Sequence, residues 1–256
     1  ETLRFCVFAI LFFLPGLAEA RVFDPKELNF APFIRGTGGP SAVGKEGFIH
    51  ENDNIAVDAT SDYNYGGELG LLIRLQDKVN IRLGAELLGS SPISGKEGLD
   101  STGAQMFILN SQVFIFNPQF TLETVVVDGK ESRILLMGSA GFATVRLSNK
   151  YEMTAAGTTA LGVNSFEDVA SASSINYGLS VGWEFLLVDR AMLMVEAGYR
   201  YFKVTGFTHG QDGKTLAQKT GVGPLKGDPV LNFDGSSRKI DLSGGFVGLS
   251  FRFFIQ

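Results

Sequence analysis

Residues 61 to 88 and 173 to 200 are two copies of one hairpin, and the pattern they share leaves few folds open. Asn64-Tyr65-Gly66 begins the first copy and Asn176-Tyr177-Gly178 the second; the same offset matches Gly70 with Gly182, Asp77 with Asp189, Lys78 with Arg190 and Ala85 with Ala197. In the first copy Leu69, Leu71, Ile73 and Leu75 alternate with Glu68, Gly70, Leu72 and Arg74. After Gln76-Asp77-Lys78, Val79, Ile81, Leu83, Ala85 and Leu87 alternate with Asn80, Arg82, Gly84 and Glu86. Side chains in a strand change face at every residue. One face of each arm is therefore apolar over a length that crosses a bilayer, while the other carries glycine and charge, as do the exterior and interior of a transmembrane barrel.

Apolar residues make up 45% of the 256, with 32 Gly and 22 Phe. No sustained apolar run follows residue 20, which excludes a helical membrane protein needing roughly 20 consecutive apolar residues per span. The one such run is N-terminal: Phe5 to Leu14, broken by Pro15-Gly16, with Ala18-Glu19-Ala20 offering small residues where a signal peptidase reads. The expectation is a signal peptide at 1 to 20, cleaved before Arg21, and a single barrel domain from 21 to 256. The only cysteine, Cys6, lies inside that segment and precedes its apolar core, so the mature chain has no thiol and no lipid-modified cysteine is expected. Losing Glu1, Glu19 and Arg4 moves the net charge from -5 to -4, which gives no reason to expect nucleic acid as a partner.

Eight strands are predicted, at 27 to 37, 61 to 75, 79 to 89, 103 to 127, 131 to 147, 173 to 188, 191 to 205 and 238 to 255. Gln76-Asp77-Lys78, Asp128-Gly129-Lys130 and Asp189-Arg190 are tight hairpin turns. Between them lie Gly, Ser, Asp and Asn-rich loops at 38 to 60, 90 to 102, 148 to 172 and 206 to 237. Short turns on one side and long loops on the other are the asymmetry of an outer-membrane barrel, and an even count puts both termini in the periplasm. Asn117-Pro118-Gln119 could be a turn, but a turn there would put long loops and tight turns on the same side, so one long bent strand is expected. In the fifth strand Leu135-Leu136-Met137 fits either phase; Thr144 and Arg146 are assigned to the interior. In the last strand Val247, Leu249, Phe251, Phe253 and Ile255 alternate with Gly248, Ser250, Arg252 and Phe254, and the alternation slips at Gly244-Gly245 relative to Ile240 and Leu242, as a β-bulge would make it.

That final strand resembles the C-terminal signature by which the outer-membrane assembly machinery recognises its clients. The whole mature chain is similar to the small eight-stranded outer-membrane proteins of the OmpA transmembrane domain, OmpX and OmpW class. The resemblance implies an all-β, antiparallel up-and-down barrel in the outer membrane of a Gram-negative bacterium, surrounded by lipid and lipopolysaccharide. No periplasmic peptidoglycan-binding domain is expected after Gln256. The runner-up fold is a soluble lipocalin-like barrel, whose interior should be apolar and exterior polar.

With the apolar faces outward, Glu68, Arg74, Arg82, Glu86, Glu123, Glu184, Glu196, Arg200 and Arg252 point into a lumen just wide enough for side chains to fill. They are expected to pair there. Tyr63, Tyr65, Tyr177, Trp183, Tyr199 and Tyr201 fall near strand ends on the outward face, as an interfacial girdle. Leu72, Leu186, Met192 and Met194 are read as filler near the periplasmic end, or as the lining of an apolar path. His50 and His209 fall in loops away from any Ser or Asp pattern, and no Gly-x-Ser-x-Gly elbow occurs, so no enzyme, cofactor or metal is expected. Glu51-Asn52-Asp53-Asn54 with Asp58 and Asp62 reads as a solvated acidic loop without calcium-loop spacing. Two functions remain: a structural or surface-interaction protein whose long loops meet an external ligand, or a narrow channel for small or apolar solutes.

Overall fold

A computed structural model describes residues 30–40, 43, 54–61, 63–129, 132–188, 191–216, 223–232 and 234–254. The expected signal peptide with Cys6, the strand start at 27 to 29, His50, Glu51 to Asp53, Asp62, Lys130, Asp189-Arg190, Ile255 and Gln256 lie outside the described residues.

Eight antiparallel strands close a ring: β1 (Phe30–Pro40), β3 (Tyr63–Gln76), β4 (Val79–Ser90), β6 (Gln105–Asp128), β7 (Ser132–Met153), β8 (Phe166–Val188), β9 (Ala191–Tyr201) and β13 (Gly244–Phe253), the last pairing back onto β1. Following paired residues once round from Phe30, through Ile73, Ile81, Leu122, Gly138, Leu179, Tyr199 and Gly245, returns beside Pro40, ten residues further along β1. That stagger tilts the strands by roughly 45°. The two repeated hairpins, β3-β4 and β8-β9, stand on opposite sides of the ring. Asn117-Pro118-Gln119 lies within continuous β6; the ladder to β7 skips Asn117 and Pro118, where proline has no N–H to give.

The strands on the loop side run past the expected ends. β5 (Ile93–Asp100) pairs with the top of β6, β2 (Ile55–Val57) pairs with β5, and β11 (Thr208–His209) pairs with β8. A short helix, α1 (Ala155–Leu161), is capped by Thr154, whose hydroxyl accepts from the Gly157 N–H, and ends on Gly162 in the left-handed region. The stretches expected as polar loops at 90 to 102 and 148 to 172 are therefore largely strand and helix. They close over an apolar core inside the upper barrel that includes Phe107, Leu109, Ile115, Val145, Leu147, Tyr151, Phe202, Phe207, Leu216, Val230, Ile240 and Leu242. Tyr151 packs edge-on to Phe107 and stacks on Phe166, at 5.2 and 4.8 Å between ring centres. Each such side chain contributes about 1.5–3 kcal/mol by leaving water, so these connections hold themselves in place.

This core corrects two sequence expectations. On β7, Thr144 and Arg146 face outward, because Ala143, Val145 and Leu147 take the interior once the strand has passed Phe142. The last segment divides into β12 (Lys239–Asp241) and β13, but Ile240, Leu242, Gly248, Ser250 and Arg252 all face inward in one phase. No bulge shifts the alternation. The polarity of the two faces exchanges at the bilayer boundary: apolar out below, apolar in above. The expected seventh strand, 191 to 205, likewise breaks at buried Phe202, whose N–H donates to Ser243 Oγ, before β10 (Lys203–Thr205) pairs with β12.

Candidate functional site: the filled lumen and its extension

Below the exchange point the exterior is apolar all round. On β6 the outward face runs from Val126 through Leu122, Phe120 and Phe116 to Phe114. At about 3.3 Å per residue and a tilt of about 45°, that is a belt roughly 28 Å high. Tyr63, Tyr65, Tyr177, Tyr199 and Tyr201 ring its loop-side edge and Trp183 stands toward the turn side, all facing outward. Val247, Leu249, Phe251 and Phe253 continue the belt across the β13-β1 seam. Water does not wet such a surface without cost, and a closed ring lets the strands pair their backbone groups within the wall with no open edge. The barrel is a membrane-spanning one of the outer-membrane type, with the lipocalin arrangement of apolar interior and polar exterior confined to the part above the belt.

Inside the belt, five guanidiniums (Arg35, Arg82, Arg133, Arg200 and Arg252) meet five carboxylates (Glu68, Glu86, Glu123, Glu184 and Glu196), all buried. They form one unbroken chain of opposite charges along the lumen. At the turn end Arg133 pairs with Glu184, and Arg252 bridges Glu184 at 2.8 Å and Glu123 at 2.6 Å. Arg82 reaches Glu123 at 3.4 Å, Glu196 at 3.6 Å and Glu68 at 3.8 Å. Arg35 grips Glu196 through two hydrogen bonds of 3.0 and 2.9 Å and donates to Glu68 at 2.9 Å. Glu86 closes the chain, accepting from Arg200 at 2.7 Å and from Asn117 at 3.0 Å. The Arg82–Glu196 contact joins the two repeated hairpins across the lumen. Glycines make the room: a Cβ on Gly84 would lie 2.0 Å from Glu68 Oε1, and one on Gly141 2.3 Å from Asn117 Oδ1.

Arg74 stands at the mouth instead, where it bonds Asp77 Oδ1 at 3.2 Å and the turn carbonyls. Arg35 and Arg133 are members that sequence reading missed. Phe33 and Ala31 share the inward face of β1 with Arg35, and either phase fits 135 to 137 on β7, so neither strand shows a clean alternation. The findable signal was simpler: a charge inside a bilayer-height strand has nowhere else to go. Of the four apolar interior residues, Leu72, Met192 and Leu186 pack with Ala31 and Phe254, and Met194 with Val125, Leu135 and Met137, filling the turn end.

Above the belt, His209 on β11 meets Asp168 on β8 at 2.8 Å, both buried, although 41 residues separate them. The sequence alone sets this histidine in a loop away from any Ser or Asp pattern; the pairing of β11 with β8 brings Asp168 to it. Among the described residues no cluster of three or more His, Cys, Asp or Glu could hold a metal. A small, open cleft beside the upper β1-β13 seam is lined by Gly38, Pro40, Asn64, Gly245 and Phe246 and reaches Arg200. Its lining includes no member of the network below Arg200.

No family model and no curated protein matches the chain. Among solved structures it is similar to the outer membrane protein OprG from Pseudomonas aeruginosa (12% identity, TM-score 0.44, 89% of this chain and 98% of that one). It is likewise similar to Neisserial surface protein A (11%, TM-score 0.40, 88% and 97%) and to Ail, the attachment invasion locus protein of Yersinia pestis (8%, TM-score 0.41, 88% and 99%).

Proposed function

We propose that this protein is a closed barrel of the Gram-negative outer membrane, a structural or surface-interaction protein whose working part is the ordered β-extension above the bilayer. The observation that supports this reading is that the lumen is filled at every level: Met and Leu at the turn end, a charge-balanced network in the middle, and an apolar core at the loop end. Opening a path would mean separating buried ion pairs, at several kcal/mol each, and also unpacking the upper core. The extension offers an external ligand a rigid surface, since its strands and α1 are held by that core. The His209–Asp168 pair is read as a clasp between β11 and β8, not as a catalytic dyad, because both groups are buried away from solvent.

The test is single-channel recording of protein refolded in detergent and placed in a planar bilayer. Correctly folded protein should give a silent bilayer. Steady, resolved openings would overturn the closed-barrel reading in favour of a narrow channel for small or apolar solutes, and would direct attention to the cleft beside the β1-β13 seam.

A further inference from the structure

The cleft at the upper β1-β13 seam brings together two polar side chains whose hydrogen bonding is incomplete. Arg200 reaches it from β9. Its Nη2 donates to Glu86 at 2.7 Å, but its Nε and Nη1 donate to no group among the described residues, although the side chain is only 10% exposed. Asn64 reaches it from β3, three strands away round the ring; its Oδ1 is shut off from solvent and accepts no hydrogen bond among the described residues. A buried polar atom in that state is uncommon and asks for a partner. At the level of these two residues the intervening strands carry glycine: Gly244 is paired with Arg200, and Gly39 with Asn64. Neither could take a side chain, since a Cβ on Gly39 would fall 2.1 Å from the Gly245 carbonyl oxygen and one on Gly244 2.7 Å from that of Pro40. Leu88 and Leu242, both buried, wall the cleft on the side of the upper core. Arg35 and Arg200 both stand over the Phe246 ring, at 5.3 and 5.7 Å from its centre.

We propose that this cleft binds a small α-hydroxy acid, with the carboxylate on Arg200 and the hydroxyl donating to Asn64 Oδ1. Guanidinium N–H groups beside an amide oxygen suit a ligand that both accepts and donates, and an acid with a hydroxyl on the neighbouring carbon carries the two close together. Glu86 sets the charge: one carboxylate already offsets Arg200, so a singly charged anion is accommodated where a phosphate dianion is repelled. The donor is a hydroxyl and not an ammonium, because Arg35 and Arg200 put two cations beside Phe246 at the same place. Size follows from the cleft, which is small and open on one side. The ion pairs below Arg200 take no part, so the site does not depend on whether the barrel conducts.

The experiment follows the Nε–H signal of Arg200 and the side-chain NH2 signal of Asn64 by NMR in the full-length, isotope-labelled protein refolded in detergent, with glycolate, acetate, glycine and chloride as separate probes at one ionic strength. Glycolate should shift both signals and saturate. Acetate should shift Arg200 alone and bind about two- to tenfold more weakly, the contribution of one hydrogen bond; glycine and chloride should give no saturable shift. Asn64→Ala, at a partly buried position, should keep heat-modifiable migration on gels and bring glycolate down to the level of acetate. Glycolate no tighter than acetate in the parent, or still tighter in the folded variant, overturns the assignment, and the parent comparison decides it even if the variant does not fold. Glycine matching glycolate overturns the choice of a hydroxyl, saturation by chloride makes this an unselective anion site and overturns the ligand class, and the absence of any saturable shift removes the site altogether.

Discussion

Replacing Arg252 with methionine removes the guanidinium that ties two carboxylates together in the turn-side half of the lumen. Arg252 is wholly buried, donates to Glu184 at 2.8 Å and Glu123 at 2.6 Å, and lies against Met194 Sδ at 3.2 Å. Methionine keeps much of the volume and enters a neighbourhood already lined by Met194, so the change is electrostatic more than steric. Glu184 would retain Arg133, and Glu123 would retain only Arg82 at 3.4 Å. Breaking a buried pair costs about 3–5 kcal/mol because a charge is left uncompensated, and that is the loss expected here. Trp183, the only tryptophan and outward-facing in the belt, reports insertion by its fluorescence during urea titration in lipid vesicles. Adding Glu123→Gln to Arg252→Met removes the carboxylate left least compensated, while Arg82 keeps Glu196 and Glu68, so the double variant should lose clearly less than the two single losses added together. A single-variant loss under about 1 kcal/mol, or strict additivity, would mean that water reaches these ions and that the lumen is not the dry, coupled network described.

Further outcomes follow from the same geometry. Arg82→Ala should fold and remain silent in a planar bilayer, since Arg252–Glu123 below and the apolar core above still close the lumen; channel openings in that variant would show that Arg82 is the gate. Deleting 210 to 232 removes Leu216 and Val230 from the upper core, so the extension should become sensitive to protease while the barrel below stays resistant to SDS; an extension that stays resistant would show that this loop contributes nothing to it. Asp100 accepts from the Thr102 hydroxyl at 2.7 Å and from the backbone N–H groups of Ala104 and Thr102 at 2.9 and 2.8 Å, which hold its pKa below the usual carboxylate value. A lowered folded value means that the turn is stabilised above the unfolded group's pKa and loosens as pH falls through the folded one. Amide exchange at Thr102 and Ala104 should accelerate over that acid range, and an Asp100→Asn protein with the same pH profile would refute the assignment. In Gly157→Ala, the new Cβ would fall 1.9 Å from the Met106 carbonyl oxygen, so α1 should lose its seat on β6 at a cost of about 1–3 kcal/mol; unchanged exchange at Thr154 would contradict it.

The stretches expected as polar loops at 90 to 102 and 148 to 172 are instead strand and helix packed over the upper core. Within the belt, period-two alternation carried the reading because lipid and lumen demand opposite chemistry at adjacent residues: Leu69 against Glu68, Leu83 against Arg82 and Phe251 against Arg252 point where their polarity requires. Above it the solvent changes, and the same geometry takes the opposite code. Thr144 and Arg146 looked like lumen residues, and Ile240 and Leu242 looked out of phase with Val247, only because one code was applied along the whole strand.

The duplicated hairpins, the alternation and the tight turns by themselves determined a barrel of eight ring strands, its outward face and most of its interior charges, since each is a local consequence of strand geometry against lipid. Which charges pair was not local. Arg35 with Glu196, Arg82 across to the second hairpin, Arg252 between Glu123 and Glu184, and His209 with Asp168 depend on the ten-residue stagger of the ring and on which strands stand opposite. The height at which inside and outside exchange polarity is set in the same way, by where a tilted wall of fixed stagger leaves the bilayer, and only the closed tertiary structure supplies it.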